Sequence, residues 1–406
     1  TGSKENVEFV LKKLGQFVEN KIGAIHIEDQ RPGCKVCGHQ GQKVLVSTTE
    51  IIARLNTARL QFDVLGVPGV IVARTDSNDA TAIDSLEDER DHPFVLGATN
   101  AEIVPFKNVS LAVIKKFYDR GFKEINGHLL YRISDKAYRD AQEWLRKEHL
   151  ASRVDEAIAR IDKEISSLKK LRQQARREGK GRRDAREQLA ALEVTAKRVA
   201  EETLDHVLAV IREAWAEKAG LKTYGEAVAE SMEARLGSQG KLPMSVERWR
   251  KFAAQASFGE ARERAKSMSI EVFWDWDLPR TPEGFYPITG GRDMATARGL
   301  AMAPFCDLVW RETAKPDLED DRMWAEAMHE VFPDKLLAYN LSPSFNWDTT
   351  GMSDDQMRSF PEELGRMGYV FNFITYGGHQ IDGLAATVLD RALAEGRMPF
   401  LRGLLA

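Results

Sequence analysis

Gly23-Ala24-Ile25-His26-Ile27-Glu28-Asp29-Gln30-Arg31-Pro32-Gly33-Cys34-Lys35-Val36-Cys37-Gly38-His39 decides how this chain is read. An apolar run ends in acidic residues, and period-two alternation puts His26 and Glu28 on one face of a strand. The loop after it presents Cys37 between Lys35 and His39, and neighbouring cations stabilise a thiolate. Just downstream, Ser47-Thr48-Thr49-Glu50 offers an N-cap. Ile51, Leu55, Ala58 and Phe62 continue at helical spacing, and Gly66 is a stop. Val67 to Ala73 is a β-branched run that ends in Arg74-Thr75-Asp76. With a further amphipathic helix over residues 5–20, this is the βαβ rhythm of a parallel sheet.

The rhythm breaks after about Asn100. Residues 132–235 are dense in Ala, Arg, Lys and Glu and contain no proline. Val154, Ile158, Ile161, Ile165 and Leu168 form an apolar seam, Arg176 to Arg183 reads as the turn of a helical hairpin, and Leu189, Leu192, Ala196 and Val199 carry the returning strip. The basic turn reads as a solvated one, since no aromatic residues interleave with it. From Ser269 to Trp276 the chain reads as a strand or extended segment, with Trp274 and Trp276 as core or interface residues. A helix follows over 292–303. Three more apolar runs then end in polar residues, at Glu312, Asn340 and Thr375.

Five strand ends (Glu28, Arg74, Glu312, Asn340, Thr375) are how a (β/α)8 barrel builds an active site from the carboxyl ends of its strands. The fold expected is therefore α/β: a partial barrel with five of eight strands, the other three lying before Thr1, and a large α-helical insertion. The expected domains are barrel residues 1–122, insertion 123–270 and barrel residues 271–406.

Composition narrows the function. The 406 residues carry a net charge of -4, which argues against a nucleic-acid partner. Three cysteines make no disulfide framework and suit a reducing cytosol. No apolar run is long enough to span a bilayer, and neither G-x-G-x-x-G nor G-x-x-x-x-G-K-[ST] is present.

The candidate site residues each admit an ordinary reading as well. Glu28 could hold a divalent cation directly or through water, or form a structural ion pair. Cys34 and Cys37 could be a redox or zinc pair or inert, and Cys37 could be an acid/base thiol tuned by Lys35 and His39. Cys306 reads as packing. Gly38 lets the backbone approach a ligand. Arg74 is a natural carboxylate clamp, because its fork binds both oxygens, with an interstrand ion pair as the alternative. Asn340-Leu341-Ser342-Pro343-Ser344-Phe345-Asn346-Trp347 caps a helix or presents neutral donors, and Thr375 adds a hydroxyl. Together these residues point to a small polyanionic substrate.

The blocks I-H-I-E-D-Q, K-V-C-G-H, V-I-V-A-R-T-D, A-P-F-C-D-L-V-W-R-E-T, A-Y-N-L-S-P-S-F-N-W and F-N-F-I-T closely resemble isocitrate lyase, of the phosphoenolpyruvate mutase superfamily of (β/α)8 barrels. Trp274 to Tyr286 and the helical insertion resemble the family's longer form. The resemblance implies Mg²⁺-dependent cleavage of isocitrate to glyoxylate and succinate in the glyoxylate cycle, by a homotetramer, with no nucleic acid or membrane as partner. It implies Cys37 as the catalytic cysteine, with His39 and Glu312 beside it. Gly38, His39, Arg74, Asn340, Ser342, Ser344 and Thr375 match substrate positions, and Glu28 and Glu312 match carboxylates around the metal, Glu28 through water. A direct Asp ligand and the S-G-W loop are expected upstream of Thr1, and a C-terminal exchanged helix beyond Ala406. Val36, Arg311 and Leu341 depart from the family's usual residues, and Arg311 is expected beside a metal-region carboxylate. The rival readings are 2-methylisocitrate cleavage, an inactive or split fragment, and a zinc or redox protein.

Overall fold

The structure, a computed structural model, describes residues 12–16, 22–34, 43–122, 124–125, 128–129, 132–177, 182–239, 242–342, 345 and 347–395. Two compact units emerge, residues 1–81 with 290–406, and residues 82–289. No described helix is long and apolar enough to cross a membrane.

The first unit is built on five parallel strands: β1 (Ala24–Glu28), β2 (Val70–Thr75), β3 (Leu308–Arg311), β4 (Leu336–Asn340) and β5 (Tyr369–Phe373). Their order across the sheet is their order along the chain. Glu28 is in register with Arg74, and Arg74 with Trp310, so the polar strand ends stand side by side. These are the five strands read from the sequence.

Alternation gives the sheet two different faces. Ile27, Ile71 and Ala73 bury themselves against the helix Thr48–Leu65 through Ile51, Leu55, Ala58 and Phe62. Val309, Leu337 and Tyr339 pack on Trp324, Ala325 and Met328 of the helix Leu318–Val331, and on Phe360 and Leu364 of Asp354–Arg366. Among the described residues, the opposite face carries a small apolar patch of Val72, Leu308, Trp310 and Ala338, with Phe373 beside it. Local signals set the helix ends: Ser47 Oγ accepts from Glu50 N–H at 3.1 Å, and Gly66 closes the helix at φ 65°.

The second unit is mainly helical. Phe106–Tyr118, Asp135–Lys147, Ala151–Arg177 and Arg182–Ala219 share one core, in which Val154, Ile158, Ile161 and Ala200 are buried. The expected seam and hairpin are present. The turn itself (178–181) and the side chains of Leu168, Leu189 and Leu192 lie outside the described residues. This unit opens at Ala82 and closes at Thr289, wider than the 123–270 expected. The reason is that Phe106, Val109, Val113 and Phe117 belong to the same core as the long hairpin. Ser269 to Trp276 forms no strand and makes one antiparallel bridge, Ala98 to Asp275. Trp274 and Trp276 pack with Tyr224 and Phe258, with ring centroids 4.9–5.7 Å apart.

Candidate active site

At the carboxyl ends of β1, β2 and β3, one guanidinium meets three carboxylates. Arg74 Nε and Nη2 each donate to Asp76, both at 2.9 Å. Glu28 Oε2 lies 3.5 Å from Nε, and Glu312 Oε1 lies 3.7 Å from Nη2. The guanidinium carbon sits 4.5 Å from the centre of the Trp310 ring, whose face attracts a cation. Trp310 in turn stacks on Phe373 at 4.3 Å and meets the edge of His26 at 5.5 Å. His26 and Glu28 therefore do share the face that their spacing predicts.

Next to this group the polar network continues inward. Lys43, fully buried on a short strand (Lys43–Leu45), places Nζ 3.2 Å from Asp76 Oδ1 and 3.7 Å from Asp79 Oδ2. Asp29 accepts from Thr75 Oγ1 at 2.7 Å and from the Asp76 backbone N–H at 2.8 Å. Arg298 donates to Asp29 at 3.0 Å and to the Val46 carbonyl at 2.8 Å. Its helix, Arg292–Met302, docks closely on the 76–80 turn because Gly290 precedes it: a Cβ there would stand 2.6 Å from the Ala80 carbonyl oxygen. On the far side Asn340 Nδ2 donates to Glu312 Oε1 at 3.1 Å, and Thr375 Oγ1 lies 3.5 Å from Asn340 Oδ1.

Burial and charge shift these groups in different directions. Burial pushes Glu312 up to about 6, with the Asp76 charge adding to it and Arg74 offsetting it. Burial also raises Asp29, against the pull of Arg298. Asp76 goes the other way: burial alone would raise it, but Arg74 and Lys43 together hold it below the usual carboxylate range. Burial works against the charge on Arg74, yet Asp76, Glu312 and Glu28 keep it protonated beyond its ordinary range.

Glu28, Arg74, Glu312, Asn340 and Thr375 thus converge as expected from their strand ends. Arg74 does so as a partner of Asp76, the ion-pair alternative, with its Nε/Nη2 edge already closed on a carboxylate of its own chain. Ser342 is fully buried, and its carbonyl accepts from Trp347 Nε1 at 3.1 Å. Cys37, Gly38, His39 and Ser344 lie outside the described residues. Cys34 receives a hydrogen bond from Arg31 at 3.6 Å. Cys306 packs against both helical layers, its thiol pushed up to about 11 by burial. One expectation is corrected: Arg311 is not beside Glu312. Alternation turns it to the helix-covered face, where it pairs with Asp320 and Asp321. The sequence reading missed Asp29, Lys43, Asp76 and Arg298.

The donor chemistry suits a hard divalent cation, which prefers oxygen ligands. Five carboxylates (Glu28, Asp29, Asp76, Asp79, Glu312) face three cations (Lys43, Arg74, Arg298) in this network. Glu312 Oε2 is buried without a hydrogen-bond partner among the described residues. The described residues contain no set of three His, Cys, Asp or Glu side chains arranged to hold a metal. Glu28 and Glu312 thus fit as part of a shell, not as a whole one.

The chain is similar to known proteins over most of its length. The sequence profile of the isocitrate lyase family matches residues 3–199 and 157–401. Isocitrate lyase 2 of Mycobacterium tuberculosis (Erdman strain) is 48% identical over 385 residues, covering 95% of this chain and 46% of the relative. Isocitrate lyase of Oryza sativa subsp. japonica is 32% identical over 394 residues, covering 96% and 53%. A crystal structure of 2,3-dimethylmalate lyase aligns with 19% of this chain and 26% of that one, at 32% identity and a TM-score of 0.18. The chain spans about half the length of the curated relatives it matches.

Proposed function

Since the chain belongs to the isocitrate lyase family, we propose that it acts as a carbon–carbon lyase that cleaves isocitrate to glyoxylate and succinate with Mg²⁺. The observation that carries this reading is the meeting of Arg74, Glu28, Glu312 and Asn340 at neighbouring strand ends. A substrate with three carboxylates needs a fixed cation and neutral donors, and that rim supplies both. The strands follow one another across the sheet in chain order and carry their helices on one face, which supports a (β/α)8 barrel.

In this reading Arg74 binds a substrate carboxylate, while Asn340 and Thr375 orient neighbouring oxygens without adding charge. Trp310 and Phe373 form the apolar floor that keeps bulk water from the guanidinium. Glu28 and Glu312 would hold the Mg²⁺, which when bound supplies a Lewis acid for the glyoxylate oxygens. Cys37 is proposed to exchange a proton with the succinate carbon, with His39 beside it. Gly38, His39, Ser342 and Ser344 complete the substrate contacts. A homotetramer in the cytosol, serving the glyoxylate cycle, completes the proposal.

The test is glyoxylate release by the full-length protein with Mg²⁺ and isocitrate. Glu312→Gln should weaken Mg²⁺ binding, read by calorimetry, and lower turnover about 10- to 100-fold. No glyoxylate from the wild type, or turnover of 2-methylisocitrate alone, would displace this function.

A further inference from the structure

Arg74 is held in an uneven way. Its Nε and Nη2 edge is closed on Asp76, and Nη1 makes no hydrogen bond among the described residues. Asp76 is itself held from two directions. Its backbone N–H is fixed by Asp29, which Arg298 braces, and its Oδ1 is shared between Arg74 and Lys43. Both Asp76 and Lys43 are fully buried, so neither has water to turn to. A buried carboxylate gripping two N–H groups at 2.9 Å does not release them cheaply.

We infer that Asp76 is a positioning residue: it closes the Nε/Nη2 edge of the guanidinium and leaves the opposite Nη1/Nη2 edge as the one offered to a ligand carboxylate. The ligand then meets Arg74 end-on, while the side-on edge is spent inside the protein. Lys43 supports the arrangement by neutralising Asp76, so that a second anion can approach Arg74 without facing an uncompensated carboxylate. Asp29 and Arg298 fix the height of Asp76 through its backbone. This inference rests on the substrate-binding role proposed for Arg74, and it names which atoms perform it.

Two measurements on the full-length protein test it, with succinate as the probe. In a crystal structure of the wild type with succinate, both Arg74–Asp76 hydrogen bonds should persist, with a succinate oxygen on Nη1. A guanidinium that has left Asp76 to fork the ligand overturns the inference. In calorimetry, Asp76→Asn should bind succinate at least about tenfold more weakly, and Asp76→Glu should recover part of that loss. A merely structural role would shift the melting midpoint without that recovery. An Asp76→Asn protein that folds and binds succinate like the wild type also overturns the inference. Glyoxylate release is read in the same samples. A protein that binds succinate through Nη1 without releasing glyoxylate contradicts the activity and supports the positioning. One that releases glyoxylate but whose Arg74 has left Asp76 in the succinate complex overturns the positioning alone.

Discussion

Arg74 and Arg311 lie on adjacent strands of one sheet, both nearly fully buried and both beside a tryptophan, and they do different things. Arg74 faces the polar rim: one edge is on Asp76, two further carboxylates stand within 3.7 Å, and Nη1 is left over. Arg311 faces the helices: Nη1 and Nη2 are taken by Asp320 at 2.5 Å and Asp321 at 2.6 Å, beneath the helix Leu318–Val331. Tyr369 Oη donates to the Asp321 carbonyl at 3.1 Å and seals that side. A buried arginine with acidic neighbours is therefore not in itself a binding site. What separates the two is cover: Arg311 Nε and Asp321 Oδ2 are unmatched too among the described residues, but they are sealed in the core under the helices, whereas Arg74 stands at the strand ends.

The largest expected effect separates them directly. Arg74→Met should lower glyoxylate release about 10²- to 10³-fold, as for removal of a preorganised donor at a reacting centre. Arg311→Met should leave kcat/KM within about threefold of wild type, yet cost about 3–5 kcal/mol of stability, because Asp321 remains buried without its cation. Steady-state kinetics and urea unfolding of both variants read the two effects. Equal losses of turnover would erase the contrast.

Arg298 should behave like Arg311 in stability and like Arg74 in function. Arg298→Met strands Asp29 in the interior, at about 3–5 kcal/mol, and loosens the backbone that carries Asp76. Urea unfolding should record the first effect, and a raised KM with a smaller change in kcat the second. A destabilised variant with wild-type KM would detach the Asp29 brace from the rim.

The pH response sharpens the same comparison. Burial raises Asp321 from 3.8 to about 6, despite the Arg311 charge and hydrogen bond. A carboxyl whose folded pKa lies above its unfolded one binds more protons in the native state between the two values. Stability therefore falls as pH rises from about 4 to about 6, and is level beyond. The span is on the order of 3 kcal/mol at this shift. Glu312, raised to about 6 as well, contributes with the same sign. Asp321→Asn should thus reduce the slope of stability against pH without abolishing it. An unchanged slope would place the protonation elsewhere.

Much of this was legible in the sequence, for identifiable reasons. Parallel strands covered by helices read as β-branched runs, and their polar ends announce themselves, so Glu28, Arg74, Glu312 and Asn340 were found. Asp76 was within reach, because period two from Arg74 places it on the same face, although it lies just past the strand end. Arg298 left a fainter signal: one charge on the face that carries Met294, Ala295 and Met302, all buried. Lys43 left none, since a three-residue strand has too little pattern to show which side is inward. The placing of Arg311 beside Glu312 failed by neglecting alternation, since neighbours in a strand point apart. The unit boundary was missed because Phe106–Tyr118 reads as an amphipathic helix whichever core receives it.

The smallest expected effect concerns the aromatic neighbours. Arg74 lies 4.5 Å from the Trp310 ring centre, whereas Arg311 lies 5.7 Å from that of Trp324. Cation–π attraction falls with distance, so the Trp310 contact is the stronger of the two. Trp310→Phe keeps an aromatic face against Phe373 while weakening the attraction, at about 0.5–1 kcal/mol. Because part of that attraction aims the guanidinium, KM should rise about two- to fivefold with kcat nearly unchanged, by the same conversion of free energy into affinity. Trp324→Phe removes core volume under Arg311, so its cost should appear in stability alone. A rise in KM from Trp324→Phe, matched by none from Trp310→Phe, would reverse the assignment of the two arginines.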